Sequence, residues 1–334
     1  MLEGHALTEQ EALSLLEPVS LPLADLMHAA KTLTRRRFGN ALALCAIHAA
    51  KVGRCGGDCA FCAQSKHSTS AVQVVRVQES DPSAIAARAL ELRTLGVARF
   101  SLVTSGERLT PKEFTHILSI YRAIRARTDI RLCASLGSVD EDRARQLAAC
   151  GVTRYHHNIE TARSYFPNIC TTHSYDDRLQ TIRIARAAGM EICSGGILFM
   201  GESARQRVEM ALALCDLHVD CVPINILNPI VGTRLASQPL PDAEEVLRAL
   251  ALFRLILPDT TLCFAGGRQR ALGQPRAENA DFAALRGPPA SMSAEYAGYE
   301  AGINALLVGD FLTTEGRALT EELDTLTALG YTLG

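Results

Sequence analysis

Short apolar runs rich in Val, Ile and Leu recur along this 334-residue chain, separated by longer segments whose apolar positions return every three to four residues. The first pattern suits strands buried on both faces of a parallel sheet. The second suits helices packed on such a sheet along one side. Strands are expected near 42–48, 99–104, 130–136, 153–159, 191–198, 222–227, 260–265 and 304–309, with helices near 81–95, 111–127, 140–149, 175–188, 204–217 and 243–255. Eight strands alternating with helices predict an α/β fold, a (β/α)8 barrel of the TIM type, with chemistry at the C-terminal ends of the strands. Residues 1–38 read as a helical extension ahead of a barrel domain at 39–334. The stretch 273–293, rich in Ala, Pro, Gly and charge, reads as a loop inserted before the last barrel helix.

Composition narrows the function. A chain that is 48% hydrophobic with net charge −2 can bury a large core and holds no apolar run of membrane-spanning length. The near-neutral balance removes the electrostatic argument for nucleic acid, and Arg35-Arg36-Arg37 reads as a solvated helix end. Sulfur is the unusual resource, with eleven Cys and no Trp. The first residues lack a basic, apolar and small-residue leader, so a reducing cytoplasmic setting is expected and disulfides are not.

Three of those cysteines, Cys55, Cys59 and Cys62, follow the first expected strand in a C-x3-C-x2-C spacing with Gly56 and Gly57 inside it. Three thiolates so placed can wrap one cubane iron–sulfur cluster and leave its fourth iron without a protein ligand. A structural zinc site usually takes four protein ligands, and no second C-x2-C pair lies nearby. Cys45, Cys150, Cys170, Cys215 and Cys221 are expected to be small buried hydrophobes. His156 and His157, at a strand end, are expected to serve structural hydrogen bonds.

The run Cys-Gly-Gly-Asp-Cys-Ala-Phe-Cys-Ala-Gln-Ser resembles the radical S-adenosylmethionine (SAM) enzymes. The motifs Cys133–Gly137, Tyr155–Thr161, Asn168–Tyr175, Cys193–Ile197, Met200–Glu202, Pro223–Leu227, Gly232-Thr233, Gly266–Arg268 and Leu312–Thr314, in order, resemble the biotin synthase family in particular. The resemblance runs from about Leu15 to Leu329 and implies insertion of sulfur into dethiobiotin. It implies a [4Fe–4S] cluster on Cys55, Cys59 and Cys62, with SAM held by Asn158, Glu160, Arg178, Gly195 and Gly196. Glu160 stands where the family usually has Asp. The resemblance also implies dethiobiotin contacts from Asn158 and Asn225 for the ureido ring and from Thr313 and Thr314 for the carboxylate, while Lys51 matches a family lysine without a defined step.

The sulfur source is where this chain departs from the common family pattern. Biotin synthases commonly bury a [2Fe–2S] cluster on three Cys and one Arg; Cys133 and Cys193 match two of them, Ser101 stands at the third Cys, and Cys263 stands at the Arg. Cys133, Cys193 and Cys263 fit three corners of a four-iron cluster, whereas a two-iron cluster would need Ser101 as its fourth ligand. The pattern resembles a variant branch associated with strictly anaerobic life, for which a larger auxiliary cluster is expected. The resemblance further implies an electron donor such as flavodoxin or ferredoxin, and a homodimer, with neither nucleic acid nor membrane as partner. The alternatives are a hydrogenase-maturase-like or methylornithine-synthase-like enzyme on the same barrel, and a non-catalytic iron–sulfur or zinc sensor or scaffold.

Overall fold

The structure, a computed structural model, describes residues 6–17, 21–272, 294–309 and 318–334. Its strands are β1 (Ala41–Lys51), β2 (Arg99–Thr104), β3 (Arg131–Ser135), β4 (Val152–His156), β5 (Glu191–Cys193), β6 (Gly196–Leu198), β7 (Cys221–Ile226), β8 (Thr261–Phe264), β9 (Ala305–Val308) and β10 (Thr332–Leu333). All the ladders between them are parallel, and β1 pairs with both β2 and β9, so the sheet closes on itself. β5 and β6 share the fifth place, which gives the eight-stranded (β/α)8 barrel that the alternating pattern predicts. The expected continuous strand at 191–198 is interrupted because the Asn158 side chain, not a strand neighbour, accepts from the N–H of Gly195 at 3.0 Å. The short β10 adds to the start of β1, outside the closed ring.

Helices α1 (Glu9–Leu16) and α2 (Leu23–Phe38) precede the barrel; α3 (Pro82–Thr94), α4 (Pro111–Arg125), α5 (Glu141–Ala149), α6 (Phe166–Ile169), α7 (Tyr175–Ala187), α8 (Ala204–Asp216) and α9 (Ala243–Ile256) follow β1 through β7. Asp81, Thr110, Asp140, Ser174, Ser203 and Asp242 each accept a backbone N–H two or three residues on, which fixes the starts of α3, α4, α5, α7, α8 and α9. Two expected helices begin one residue early for this reason: their first residues, Asp81 and Asp140, are the caps. α9 is buried from Val246 through Ile256, because α1 and α2 cover the side that faces away from the sheet. Short α10 (Arg268–Leu272) and α11 (Ala294–Glu300) lie on either side of residues 273–293, and α12 (Leu319–Ala328) follows β9. The expected loop at 273–293, and Thr313 and Thr314, lie outside the described residues.

Candidate functional site

The barrel encloses a chamber of about 420 Å³ that reaches from its interior to the C-terminal strand ends. Parallel register sets what faces it, because alternate residues of each strand point inward. Ser101 on β2 lies opposite Cys133 on β3, Cys193 on β5 opposite Cys221 on β7, and Cys263 on β8 opposite Ala305 on β9. Cys45, Ser101, Cys133, Cys193, Cys221 and Cys263 all line the chamber, with small Ala305 and Ala43 packed beside the thiols. Cys45 and Cys221 were expected to be small buried hydrophobes; Cys221 is buried in a small apolar cluster, and both also line the chamber. Cys45 lies near enough to Cys263, and Cys221 to Cys193, for each thiol to perturb the ionisation of its neighbour. Nothing in the sequence set them apart, because a lone Cys in or beside a buried strand reads equally well as a small apolar residue.

So many thiols in one dry space do not ionise freely. The neighbouring Cys45 thiol and then burial drive Cys263 well up, the neighbouring Cys221 thiol and then burial do the same to Cys193, and burial pushes Cys133 to about 12. Cys45 is drawn down to about 7 by the neighbouring Cys263 thiol, against burial, with help from Arg154 and Arg99. Those two arginines also line the chamber, and Arg99 Nη2 and Arg154 Nε both donate to Glu191 Oε2 at 2.8 Å. A metal-bound sulfur is an anion even in such a space, and clustered thiols with guanidinium groups behind them form a donor set that fits an iron–sulfur cluster.

The Cys55–Cys62 loop closes the C-terminal side. Cys55 N donates to Gln64 O at 2.7 Å, Lys66 N returns to Cys55 O at 2.9 Å, and Cys62 N reaches Cys59 O at 3.0 Å, so the loop holds its own shape. Phe61, Cys62, Ala63 and Gln64 face the chamber. Burial, opposed by an N–H from Gln64, raises the Cys62 thiol, and neighbouring Cys55 adds to the rise. Asp58 clamps the loop to residues 170–172, accepting from Thr171 N at 2.9 Å, Thr172 N at 3.2 Å and both threonine hydroxyls. Cys59 lies against this second segment: its Sγ is 3.8 Å from the buried Sγ of Cys170, and the ligand atoms of Cys59, Cys170 and His173 lie within 4.8 Å of one another. Cys170, expected to be a small buried hydrophobe, is buried and also lies beside Cys59 and His173. Cys150 and Cys215 do pack half-buried against the core.

Beyond β4, the backbone turns sharply at Glu160, whose φ is 71°. Arg178, on the second turn of α7, donates Nη1 to Asn158 O at 2.9 Å and lies 3.3 Å from Glu160 Oε1, while its Nη2 meets His173 Nε2 at 2.8 Å. Its buried Nε has no hydrogen-bond partner among the described residues. Burial raises Glu160 above the ordinary carboxylate range, against the pull of Arg178. An orphaned guanidinium N–H beside a strained backbone is a cradle that suits an anionic group of a bound molecule.

The asparagines are oriented by donors. Asn158 Oδ1 accepts from Gly195 N at 3.0 Å and Asn225 Oδ1 from Gly266 N at 2.9 Å, so each amide nitrogen is the atom left to donate. Asn225 Nδ2 spends one hydrogen on Gly196 O at 3.1 Å and has a second, and both asparagines line the chamber. Gly195 and Gly196 answer to the backbone: a Cβ on Gly195 would fall 2.1 Å from Pro223 O, and one on Gly196 would fall 2.1 Å from Glu160 O. Met200-Gly201-Glu202 forms a local turn, with Glu202 accepting from the N–H groups of Phe199 and Met200 at 2.7 Å each. His156 hydrogen-bonds Cys193 Sγ through Nδ1 at 3.4 Å and also lines the chamber; His157 donates its backbone N–H to Cys193 O at 2.9 Å. Lys51 is paired with Glu113 at 2.8 Å.

A closed parallel barrel with a three-cysteine loop at its mouth defines a radical SAM barrel enzyme, and residues 51–214 match the family model described as the radical SAM superfamily. In architecture the chain is similar to methylornithine synthase, with TM-score 0.79 and 18% identity over 99% of this chain and 95% of that one. It is similar too to the FeFe-hydrogenase maturase HydG from Carboxydothermus hydrogenoformans, with TM-score 0.78 and 16% identity over 99% and 76% of the two chains. Those are likenesses of fold. Residues 223–280 match the biotin and thiamin synthesis associated domain. The biotin synthase of Pelotomaculum thermopropionicum is 44% identical over 96% of this chain and 93% of its own length. That of Heliobacterium modesticaldum is 44% identical over 99% and 95%. The chain belongs to the biotin synthase family. Among the described residues no helix is long and apolar enough to cross a membrane.

Proposed function

We propose that the chain converts dethiobiotin to biotin, and that the inserted sulfur comes from an auxiliary four-iron cluster inside the barrel. The observation that carries this reading is that one chamber is lined both by Asn158, Glu160 and Asn225 at its mouth and by Cys133, Cys193 and Cys263 in its interior. A [4Fe–4S] cluster with SAM supplies, when bound, the one-electron chemistry that removes hydrogen from an unactivated carbon.

The side chains of this chain then have distinct tasks. Cys55, Cys59 and Cys62 hold the reducing cluster. Arg178 offers its unpartnered Nε to the carboxylate of SAM, and Asn158 and Glu160 meet its amino and ribose groups. Gly195 and Gly196 contribute by letting the strand backbones approach one another, which keeps Glu160 in place. The second hydrogen on Asn225 Nδ2 faces a ureido carbonyl, with Asn158 on the same ring and Thr313 and Thr314 on the carboxylate tail. Ile47, Val103, Ile197, Ile226 and Leu227 line the chamber and keep water from reactive groups.

Cys133, Cys193 and Cys263 hold the auxiliary cluster, with Ser101 as the alternative fourth ligand if that cluster is of the two-iron kind. Arg99 and Arg154 oppose its negative charge. A cytoplasmic homodimer fed by a flavodoxin or ferredoxin completes the reading. Protein reconstituted without oxygen should hold about eight irons per chain, against about six for a four-iron plus two-iron pair. Cys263→Ala should lose the auxiliary cluster and biotin formation and still cleave SAM, while Ser101→Ala does much less harm. A two-iron Mössbauer spectrum that vanishes in Ser101→Ala and survives in Cys263→Ala would overturn the ligand set. Cys45→Ala and Cys221→Ala, measured alongside, test whether the two neighbouring thiols are ligands in place of Ser101.

A further inference from the structure

Arg99, Arg154 and Glu191 meet toward the N-terminal end of the barrel, on the side away from the cysteine loop. Inward positions alternate along a strand, so Arg99 lies below Ser101 on β2 and Glu191 below Cys193 on β5, while Arg154 on β4 is the register partner of both Cys133 and Glu191. Both arginines are 7% exposed and line the chamber, whereas the Glu191 side chain is 42% exposed. The carboxylate therefore stands between the chamber and solvent. Its Oε2 accepts from Arg99 Nη2 and from Arg154 Nε at 2.8 Å each, so two cations share one anion and one positive charge is left over. Arg99 spends Nη1 on Thr153 Oγ1 at 3.4 Å, but Arg154 Nη1 and Nη2 have no hydrogen-bond partner among the described residues. Buried polar groups are nearly always satisfied, so a buried guanidinium with free N–H groups is a place for an anion.

We propose that Arg99, Arg154 and Glu191 form a small-anion site in the barrel floor, with Glu191 holding the guanidinium groups until an anion arrives, and that hydrosulfide enters the chamber there. The choice of hydrosulfide rests on the reading that the inserted sulfur leaves from this chamber, since sulfur lost in each product has to be replaced. The mouth is a poor way in: the Cys55–Cys62 loop closes that side, and SAM and dethiobiotin fill the space beside it. Hydrosulfide carries one negative charge, which matches the surplus of the floor, and it accepts hydrogen bonds from Arg154 Nη1 and Nη2. Glu191 is half in water, so its carboxylate has solvent to turn into when it gives up the arginines. No covalent bond is made or broken in this step; the arginines exchange one anion for another. Directly above them lie Cys133 and Cys193, so an anion released upward arrives among the thiols.

Two probes test this on the reconstituted protein with SAM and dethiobiotin bound, iron content being measured on the same samples. The first is bromide, located by its anomalous scattering in soaked crystals, which should sit at hydrogen-bond distance from Arg154 Nη1 or Nη2. Glu191→Gln keeps the shape and withdraws the competing charge, so half occupancy should need about tenfold less bromide, the worth of one charge-assisted hydrogen bond. Arg154→Met should remove the peak. The second probe is radiolabelled hydrosulfide, supplied after one round of product formation and counted as acid-labile sulfide on the protein. Glu191→Gln should take up label about tenfold faster than the parent, and bromide should slow both. Absence of bromide from the floor of Glu191→Gln would overturn the anion site. Label uptake that neither Glu191→Gln nor bromide alters would overturn the route for hydrosulfide. A parent protein that forms no biotin would instead overturn the reading beneath the proposal, while the bromide arm still reports on the floor.

Discussion

At the scale of single residues, the site works by leaving a few polar atoms unspent. Asn225 holds two backbone groups and keeps one N–H in hand, so Asn225→Ala removes a bond to substrate and frees Gly196 O and Gly266 N as well. Leaving such groups unpaired costs about 1–3 kcal/mol. Biotin formation should therefore fall roughly 5- to 150-fold, measured with saturating SAM, while uncoupled SAM cleavage falls much less. Equal loss of both activities would move Asn225 to the SAM side. Cys55, Cys59 and Cys62 stood out in the sequence by their fixed spacing, and Cys133, Cys193 and Cys263 by the resemblance to biotin synthases; the fold brings the latter three to one chamber. Cys45, Cys170 and Cys221 did not stand out, because isolated Cys carries no spacing signal and the contacts that enlist it are made only by the fold.

At the scale of elements, the hydrophobic period located the eight barrel strands to within a few residues, missed the short β10, and did not register one place where a side chain replaced a ladder bond. The break between β5 and β6 is such a place: Asn158 takes the N–H of Gly195, and no periodicity of apolar residues records that exchange. The same region places the tightest steric demand on the fold. A methyl on Gly196 would sit 2.1 Å from Glu160 O and 2.7 Å from Glu160 Cα, and backbone cannot rotate away as a side chain can. Gly196→Ala should cost at least about 1–3 kcal/mol in urea-melt stability, in the range of overpacked cores. It should weaken SAM binding in parallel, since Glu160 has to move. Normal SAM affinity in a destabilised Gly196→Ala protein would separate the fold's need for this glycine from the site's. Helix ends were read to within a residue or two because their caps are short-range chemistry, carried by Asp, Ser and Thr in the chain itself.

At the scale of the whole molecule, the last third of the chain is fastened by a buried ion pair that sequence gave no reason to expect. Arg268 Nη2 meets both carboxylate oxygens of Glu322 at 2.8 and 3.0 Å, and its Nη1 donates to Leu307 O at 3.0 Å, so α12 is tied to β9 and the end of β8 with both side chains out of water. Glu322→Ala removes one partner of a buried ion pair and should destabilise the protein by about 3–5 kcal/mol, whereas Arg268→Met with Glu322→Leu should recover most of that loss. Denaturant melts of the three proteins check both halves of this expectation. The closure of the ring has a further consequence in time. β1 cannot meet β9 until residues 305–308 exist, yet the cysteine loop leaves the ribosome soon after residue 62. At about 5–20 residues per second, the loop waits roughly 12–50 s before the ring can shut. Such a delay is an open window in which iron and sulfide can be delivered to Cys55, Cys59 and Cys62 and to the early barrel thiols without passing a finished wall.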